Sequence, residues 1–548
     1  MLNLKVVFFL FLSIKIILIK FLKKIYFSTD LYNKSLISIL PKQIYFYPNS
    51  FLLSSLVTHK NFSIKIKDIN TKNFWKQNYS ANEKELLHNF FWLNLIDRKN
   101  DANIIQEIIT NWMHENKKYK KTIWQNSILS KRLISWILNA DIILKNTDQV
   151  FKNNFFLSII IQINNLKKNI KFESNYSKII ESLTAISLSG LVFREYKENF
   201  DFAEKELQKL IENFFDTDGF PLNRNPNDLI KFSKYFIIIK ECSKDAHQLI
   251  PDYLDEIIEK NLCCLYSLVD KNSEIPLFNG ATENRLEDFQ SYVQRLNYNV
   301  KKVKDFVGKI RILKYKKQIL FFDIGEPPHK KFSSNYQSGP LSFEYWIDQN
   351  KIITNCGYGS QISKKGELLS RLTSAHSTIS INDTSVVKFE RNNLINKVYG
   401  NSIKNEFKIL DPVYENSETA LYASAAHNAY LNEFGCIHKR IIRFNKNDDV
   451  FEGTDVLVKK KDTGKKTLFH SRFHLYPGLT AVETIGKKSI LIQINKNKSL
   501  IFTCSENKIF VEKSIFLGRN QIFNNFCITI QGHFDDKKEI KWSIKKKD

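Results

Sequence analysis

Three side chains in the second half of the sequence have the chemistry to move protons. They are His376, in Ser374-Ala375-His376-Ser377-Thr378, and the pair His427 and Tyr430, three apart in Ala426-His427-Asn428-Ala429-Tyr430. Imidazole titrates near neutrality and a phenol donates, so such groups suit general base and general acid work. In the first half, the loop Asn223-Arg224-Asn225-Pro226 presents donors ahead of a proline, and the planar guanidinium of Arg224 matches a carboxylate. Arg132, one helical turn before Trp136, reads either as a substrate ligand or as an inner-helix arginine paired to a carboxylate. His376 reads equally as a site residue and as a structural hydrogen-bonding group. His438 and His474, each on an alternating strand pattern, read as satisfied, half-buried histidines, and Glu344 as a group that orders neighbouring strands.

Other chemistries lack their signatures. No P-loop, GxGxxG, HExxH, GxSxG or EF-hand pattern occurs, so no nucleotide and no cofactor is expected. The seven cysteines are odd in number and have no CxxC pair or regular spacing, which argues against a disulfide framework and a cysteine zinc site.

The elements that must position these residues fall into two halves. From about residue 80 to 295 the apolar spacing is helical, as in Ile105, Ile108, Ile109 and Trp112, or Leu129, Leu133 and Trp136. Beyond about residue 305 the period becomes two. Ile490, Ile492 and Ile494 alternate before an Asn495-Lys496-Asn497 turn, and Leu500-Ile501-Phe502 returns as a hairpin partner. Helices followed by strands predict an antiparallel α/α array and then two packed antiparallel β-sheets, with 284–305 as the link.

The strings LHNFFWLNLID (87–97), SKRLISWILNADIIL (130–144), TDGFPLNRNP (217–226), IPLFNG (275–280), QSGPLSFEYW (337–346), NCGYGS (355–360), RLTSAHSTISINDTS (371–385), FGCIHKR (434–440) and RFHLYPG (472–478) occur in this order. Here the chain resembles the heparinase II/III-like family of polysaccharide lyases, in the branch with a DG-x-x-x-x-RNP loop. The resemblance implies a multidomain α and β architecture, an N-terminal (α/α) incomplete toroid over 31–295 followed by an antiparallel β-sandwich over 296–548, with 1–30 as a separate apolar basic segment. It also implies β-elimination on a uronate-containing polysaccharide. That chemistry needs a group to neutralise the carboxylate, a base for the adjacent C–H and an acid for the departing oxygen.

On this resemblance, catalysis falls to Tyr176, His376, His427 and Tyr430, and substrate binding to Arg224, Asn225, Asn175, Gln337 and Arg132. All would meet where the toroid cleft faces the sandwich. Asn175-Tyr176 resembles the family's Asn-His at the start of a toroid helix, with Tyr176 in the histidine's place. Gln337 stands where a histidine usually precedes LSFE, and Asn355 where an aspartate binds metal. Only His376 keeps a ligand position, so no zinc is expected. These departures leave open a catalytically degenerate polysaccharide-binding or scaffold protein of the cell envelope. Were that seam filled, or those side chains scattered across unrelated surfaces, the degradative role assigned to them would have to be abandoned.

Lys and Arg total 82 against 57 Asp and Glu, a formal charge of +25, in a 548-residue chain rich in Lys, Asn, Ile and Phe. Codon bias explains much of that, yet the charge suits an acidic polysaccharide; no nucleic-acid reading module is recognisable, and nucleic acid is not expected as a partner. Residues 4–27, LKVVFFLFLSIKIILIKFLKKIYF, begin like a signal peptide, but lysines interrupt the apolar run and the first alanine is Ala81. Export to the cell envelope or periplasm is one expectation. An uncleaved segment that packs on the domain or touches a membrane surface, or a cytoplasmic protein, is the other.

Overall fold

Short polar side chains open several helices of the first half. Ser80 and Glu83 form a reciprocal capping box, and Asp148, Asn175 and Asn225 each accept a backbone N–H from the first turn. The computed structural model describes residues 4–547 apart from 58–70, 72–73, 99–100, 271, 301, 449, 466, 487 and 507. Its first half contains α1 (Leu4–Phe27), α2 (Asp30–Lys34), α3 (Ala81–His88), α4 (Ala102–Glu115), α5 (Asn126–Leu138), α6 (Ala140–Ile143), α7 (Gln149–Ile170), α8 (Tyr176–Val192), α9 (Lys197–Phe214), α10 (Pro226–Asp245), α11 (Asp252–Leu268) and α12 (Glu287–Arg295).

Helix α8 lies at the centre, buried from Ile180 to Val192 and packed on α5, α7, α9 and α10. Its Gly190 allows the close approach of α9, since a Cβ there would lie 2.3 Å from the Phe200 backbone nitrogen. The segment expected as a link folds in part as α12, because Phe289, Tyr292, Val293 and Leu296 have helical spacing and pack into the helical core.

The second half consists of two antiparallel sheets. A nine-stranded sheet runs Phe306–Val307, Ile310–Tyr315, Gln318–Asp323, Phe343–Ile347, Asn350–Thr354, Leu468–Leu475, Phe523–His533 and Ile509–Phe516, with Ile379–Ile381 paired to Leu468–Leu475 off that path. An eight-stranded sheet runs Thr480–Glu483, Ser489–Asn495, Lys498–Cys504, Lys537–Lys546, Val450–Lys459, Cys436–Asn445, Ala420–His427 and Ile409–Asn416. The hairpin read from Ile490 to Phe502 forms with Ile490 opposite Phe502 and Ile492 opposite Leu500.

The nine-stranded sheet is covered on both faces. In Gln318–Asp323, Ile319 and Phe321 join the helical core while Leu320 and Phe322 join the sandwich core. Burial on both sides explains why QILFFD is a continuous apolar run without alternation.

The halves are tied by polar contacts across this shared sheet. The Arg224 guanidinium pairs with Asp323 and donates to the Glu326 carbonyl at 3.1 Å. It lies flat over Gly325, where a Cβ would stand 2.2 Å from the guanidinium carbon. Replacing Arg224 with Met leaves the Asp323 carboxylate buried and unpaired, and should cost about 3 kcal/mol, read as a lower midpoint of denaturant unfolding.

Candidate active site in the helical half

Helix α10 begins immediately after the Arg224 loop and carries Lys231, Lys234 and Tyr235 at positions i, i+3 and i+4, on one side of the helix. Opposite stand Glu181 on α8, Lys131 on α5 and Glu85 on α3. Together they line a cleft of about 480 Å³ with Asn89, Trp92, Asn227 and Asn284. Glu181 is 1% exposed. Its Oε1 lies 3.0 Å from Lys231 Nζ and 3.9 Å from Lys131 Nζ, and accepts from the Tyr235 hydroxyl at 3.5 Å. Its second oxygen has no partner, and neither does the Oδ1 of Asn227. Lys131 also faces Glu85 at 3.6 Å.

Burial, aided by the Glu181 charge, holds the Tyr235 phenol well above its usual range, so it remains a proton donor. Burial pushes the Lys234 ammonium down to about 8, against the opposing pull of Asp288. The cleft thus pairs a protonated acid with an amine that loses its proton around pH 8. Around them Lys131 and Lys231 balance Glu85 and Glu181, so the cleft carries a net positive charge only while Lys234 is protonated.

The residues read from the sequence lie elsewhere, in four places. Arg224, Asn225, Gln337 and His376 do come together, but within the packed seam between the halves, each 6% exposed or less. Asn225 caps α10. The Gln337 amide accepts from Gly280 N at 2.9 Å and donates to the Gly357 and Ser370 carbonyls at 3.0 and 2.7 Å, which uses its donors and an acceptor internally. The His376 ring lies against Gly339, where a Cβ would approach to 2.7 Å.

His427 and Tyr430 are in the sandwich. His427 Nδ1 accepts from Ala429 N at 3.3 Å, so its Nε2 carries the proton toward His438 Nδ1, also at 3.3 Å. His438 Nε2 then donates to Asp455 at 2.8 Å. The imidazole lone pairs of His427 and His438 are thus both used. Tyr430 donates to the Ile379 carbonyl at 3.0 Å and borders a separate hollow of about 300 Å³.

Asn175 is an exposed cap at the start of α8. Tyr176 stacks on Phe214 with centroids 4.5 Å apart and leans on Phe332. Arg132 is fully buried, donates to Gln162 and to the His88 carbonyl, and lies 4.3 Å from the Trp112 ring centroid. Its partners are neutral acceptors and an aromatic face, rather than the carboxylate or substrate the sequence suggested. Among the described residues the cleft of about 480 Å³ is lined by the helical half alone, between Leu56 and Asn284, so the residues read from the sequence do not meet in it and a degradative role has to rest on other side chains.

Residues 307–543 match the family described as Heparinase II/III-like, C-terminal. The chain carries a heparinase II/III-like domain. The whole architecture resembles the heparan sulfate lyase HepC of Pedobacter heparinus, with TM-score 0.63, 14% identity, 89% of this chain and 80% of that one. It also resembles a heparinase III, with TM-score 0.66, 14% identity, and 90% and 84% coverage. At these identities the likeness is one of fold, helical half included. No curated protein matches the sequence.

In the heparinase-like domain, the positions Gln337, Asn355 and His376 do not fit zinc. Gln337 is spent on three backbone groups, Asn355 Oδ1 accepts from Ser377 N at 3.0 Å, and of the atoms with a lone pair for a metal only His376 Nε2 lacks a partner. Among the described residues no group of three or more His, Cys, Asp or Glu side chains could hold a metal ion.

Burial lowers His376 to about 3, helped by the nearby His474, and lowers His474 itself to about 4; in the helical half it lowers His88 to about 3. Each folded pKa lies below the unfolded value near 6.5. The unfolded chain therefore takes up protons first, and stability present above about 6.5 is lost as pH falls toward 4. A thermal melting series should show the midpoint falling steeply below pH 6; a flat profile from pH 7 to 5 would contradict neutral buried imidazoles.

Sequence reading missed the cleft cluster. Its signal was a lone Glu181 in the otherwise apolar and small face of α8, and a Lys-x-x-Lys-Tyr spacing one turn after the Arg224 loop.

Proposed function

We propose that this chain is a polysaccharide lyase that cleaves an acidic, uronate-containing polysaccharide by β-elimination, in the cleft between α3, α5, α8 and α10. The observation that carries this reading is the Lys231–Glu181–Tyr235 cluster with the half-buried Lys234 beside it. Lys131 and Lys231 neutralise the uronate carboxylate and stabilise the enolate-like charge. The Lys234 amine takes the proton from the carbon bearing the carboxylate. The C–O bond on the adjacent carbon breaks, its electron pair leaves with the glycosidic oxygen, and that oxygen takes the Tyr235 proton. A double bond remains in the uronate ring; Tyr235 recovers a proton from solvent and Lys234 releases the one it took. The likeness to a heparan sulfate lyase supports this reaction class, and the substrate class favours a place in the cell envelope.

A second reading, a binding or scaffold protein of the cell envelope without chemistry, is favoured by one feature: Glu181 already occupies both lysines that would receive a carboxylate. Incubation with a panel of uronate polysaccharides, followed by absorbance of the unsaturated product, separates them. Absorbance that grows with enzyme supports the lyase; saccharide binding by calorimetry without absorbance supports the scaffold.

A further inference from the structure

Helix α1 meets the rest of the protein through one narrow face. Ser13 is wholly buried, the helix packs against Asn393–Tyr399 of the sandwich, and Lys330 Nζ sits 4.5 Å from the Phe9 ring centroid. The opposite face is a stripe of large apolar side chains. Val7, Phe11, Ile14, Leu18, Leu22 and Ile25 follow one another at offsets of three or four, and each is 49–68% exposed. An apolar surface of this length on a folded domain is far from the scattered exposed leucine of ordinary surfaces and needs a cover.

The charges say which cover. Leu4–Phe27 contains five lysines and no acid. Lys15 borders the stripe, and Lys20 and Lys24 are exposed in the last two turns. Burial, and the second positive charge of Lys171 just past the end of α7, push Lys23 down to about 8. Pairing this face with a second copy would bring lysine rows together without a carboxylate on the helix to answer them. Among the described residues no helix is long and apolar enough to cross a membrane. We infer that α1 lies in the interface of a membrane containing anionic lipid, its apolar stripe at the acyl boundary and its lysines among the headgroup phosphates. The cleft would then work beside the bilayer, whether or not its chemistry is elimination.

The test is flotation of the full chain with vesicles of phosphatidylcholine alone or mixed with phosphatidylglycerol. Anionic vesicles should bind the protein about tenfold or more tightly than neutral ones, and less so as salt is raised. A Phe11→Ser/Leu18→Ser/Leu22→Ser variant should lose binding while keeping its melting temperature, because these side chains support no core; Lys15→Glu/Lys20→Glu should lose the preference for anionic lipid. Absence of binding, equal binding to both vesicles, or binding unchanged in the serine variant would overturn the inference. So would a concentration-dependent dimer, seen by light scattering and abolished in that variant, which would assign the stripe to a second copy.

Discussion

A Tyr235→Phe variant should keep its fold and lose most of its eliminase activity, with kcat falling about 10²–10⁴-fold. The substitution removes one oxygen from a buried ring whose hydroxyl makes a single long hydrogen bond, 3.5 Å to Glu181, so little stability depends on it. What it removes chemically is the cleft's protonated donor, held in that state by burial and by the Glu181 carboxylate. The companion change is Lys234→Met. With the lysine pushed down to about 8, its neutral, proton-accepting form grows as pH rises, so turnover should climb through pH 8 and level above it. That limb should vanish in the methionine variant. Product absorbance followed across a pH series checks both, and Tyr235→Phe turning over at the parent rate would remove the phenol from the mechanism.

The largest expected loss of stability lies in the sandwich. Asp455 is fully buried and bridges the two sheets. Arg440 Nε and Nη2 reach its two oxygens at 2.7 and 2.9 Å, Ser471 of the facing sheet donates at 3.2 Å, and so does the Trp542 indole. The Arg440 charge, with hydrogen bonds from His438 and Arg440, holds this carboxylate well below its usual range despite burial. Asp455→Ala strands a buried guanidinium and removes the acceptor of the His427–His438 chain. It should cost about 3–5 kcal/mol, enough for the chain to be recovered partly unfolded. Urea unfolding followed by tryptophan fluorescence would measure it; a loss under about 1 kcal/mol would mean that water reaches the pair.

These two sites differ in how far the sequence announced them. His438 was legible as a satisfied strand histidine because alternation places it inward between Ile437 and Lys439, and the structure gives it Asp455. Arg224 was legible as important and misleading in role. A guanidinium in a loop ahead of proline suits a ligand, but the loop turns back on the first strands, and Arg224, at φ 63°, meets Asp323 there. Tyr430 and His427 lie near a strand end that faces the sandwich interior and not the cleft.

Helices first and strands second, and the hairpin after Ile494, follow from the sequence alone, because periodicity depends on residues a few positions apart. The meeting of Lys131, Glu181 and Lys231 depends on three separate helices and on which face each turns inward. So does the burial that keeps Tyr235 protonated and drives Lys234 down. Desolvation and charge proximity are properties of the packed molecule, and a side chain's proton affinity in the cleft was therefore decided only when the helices closed around it.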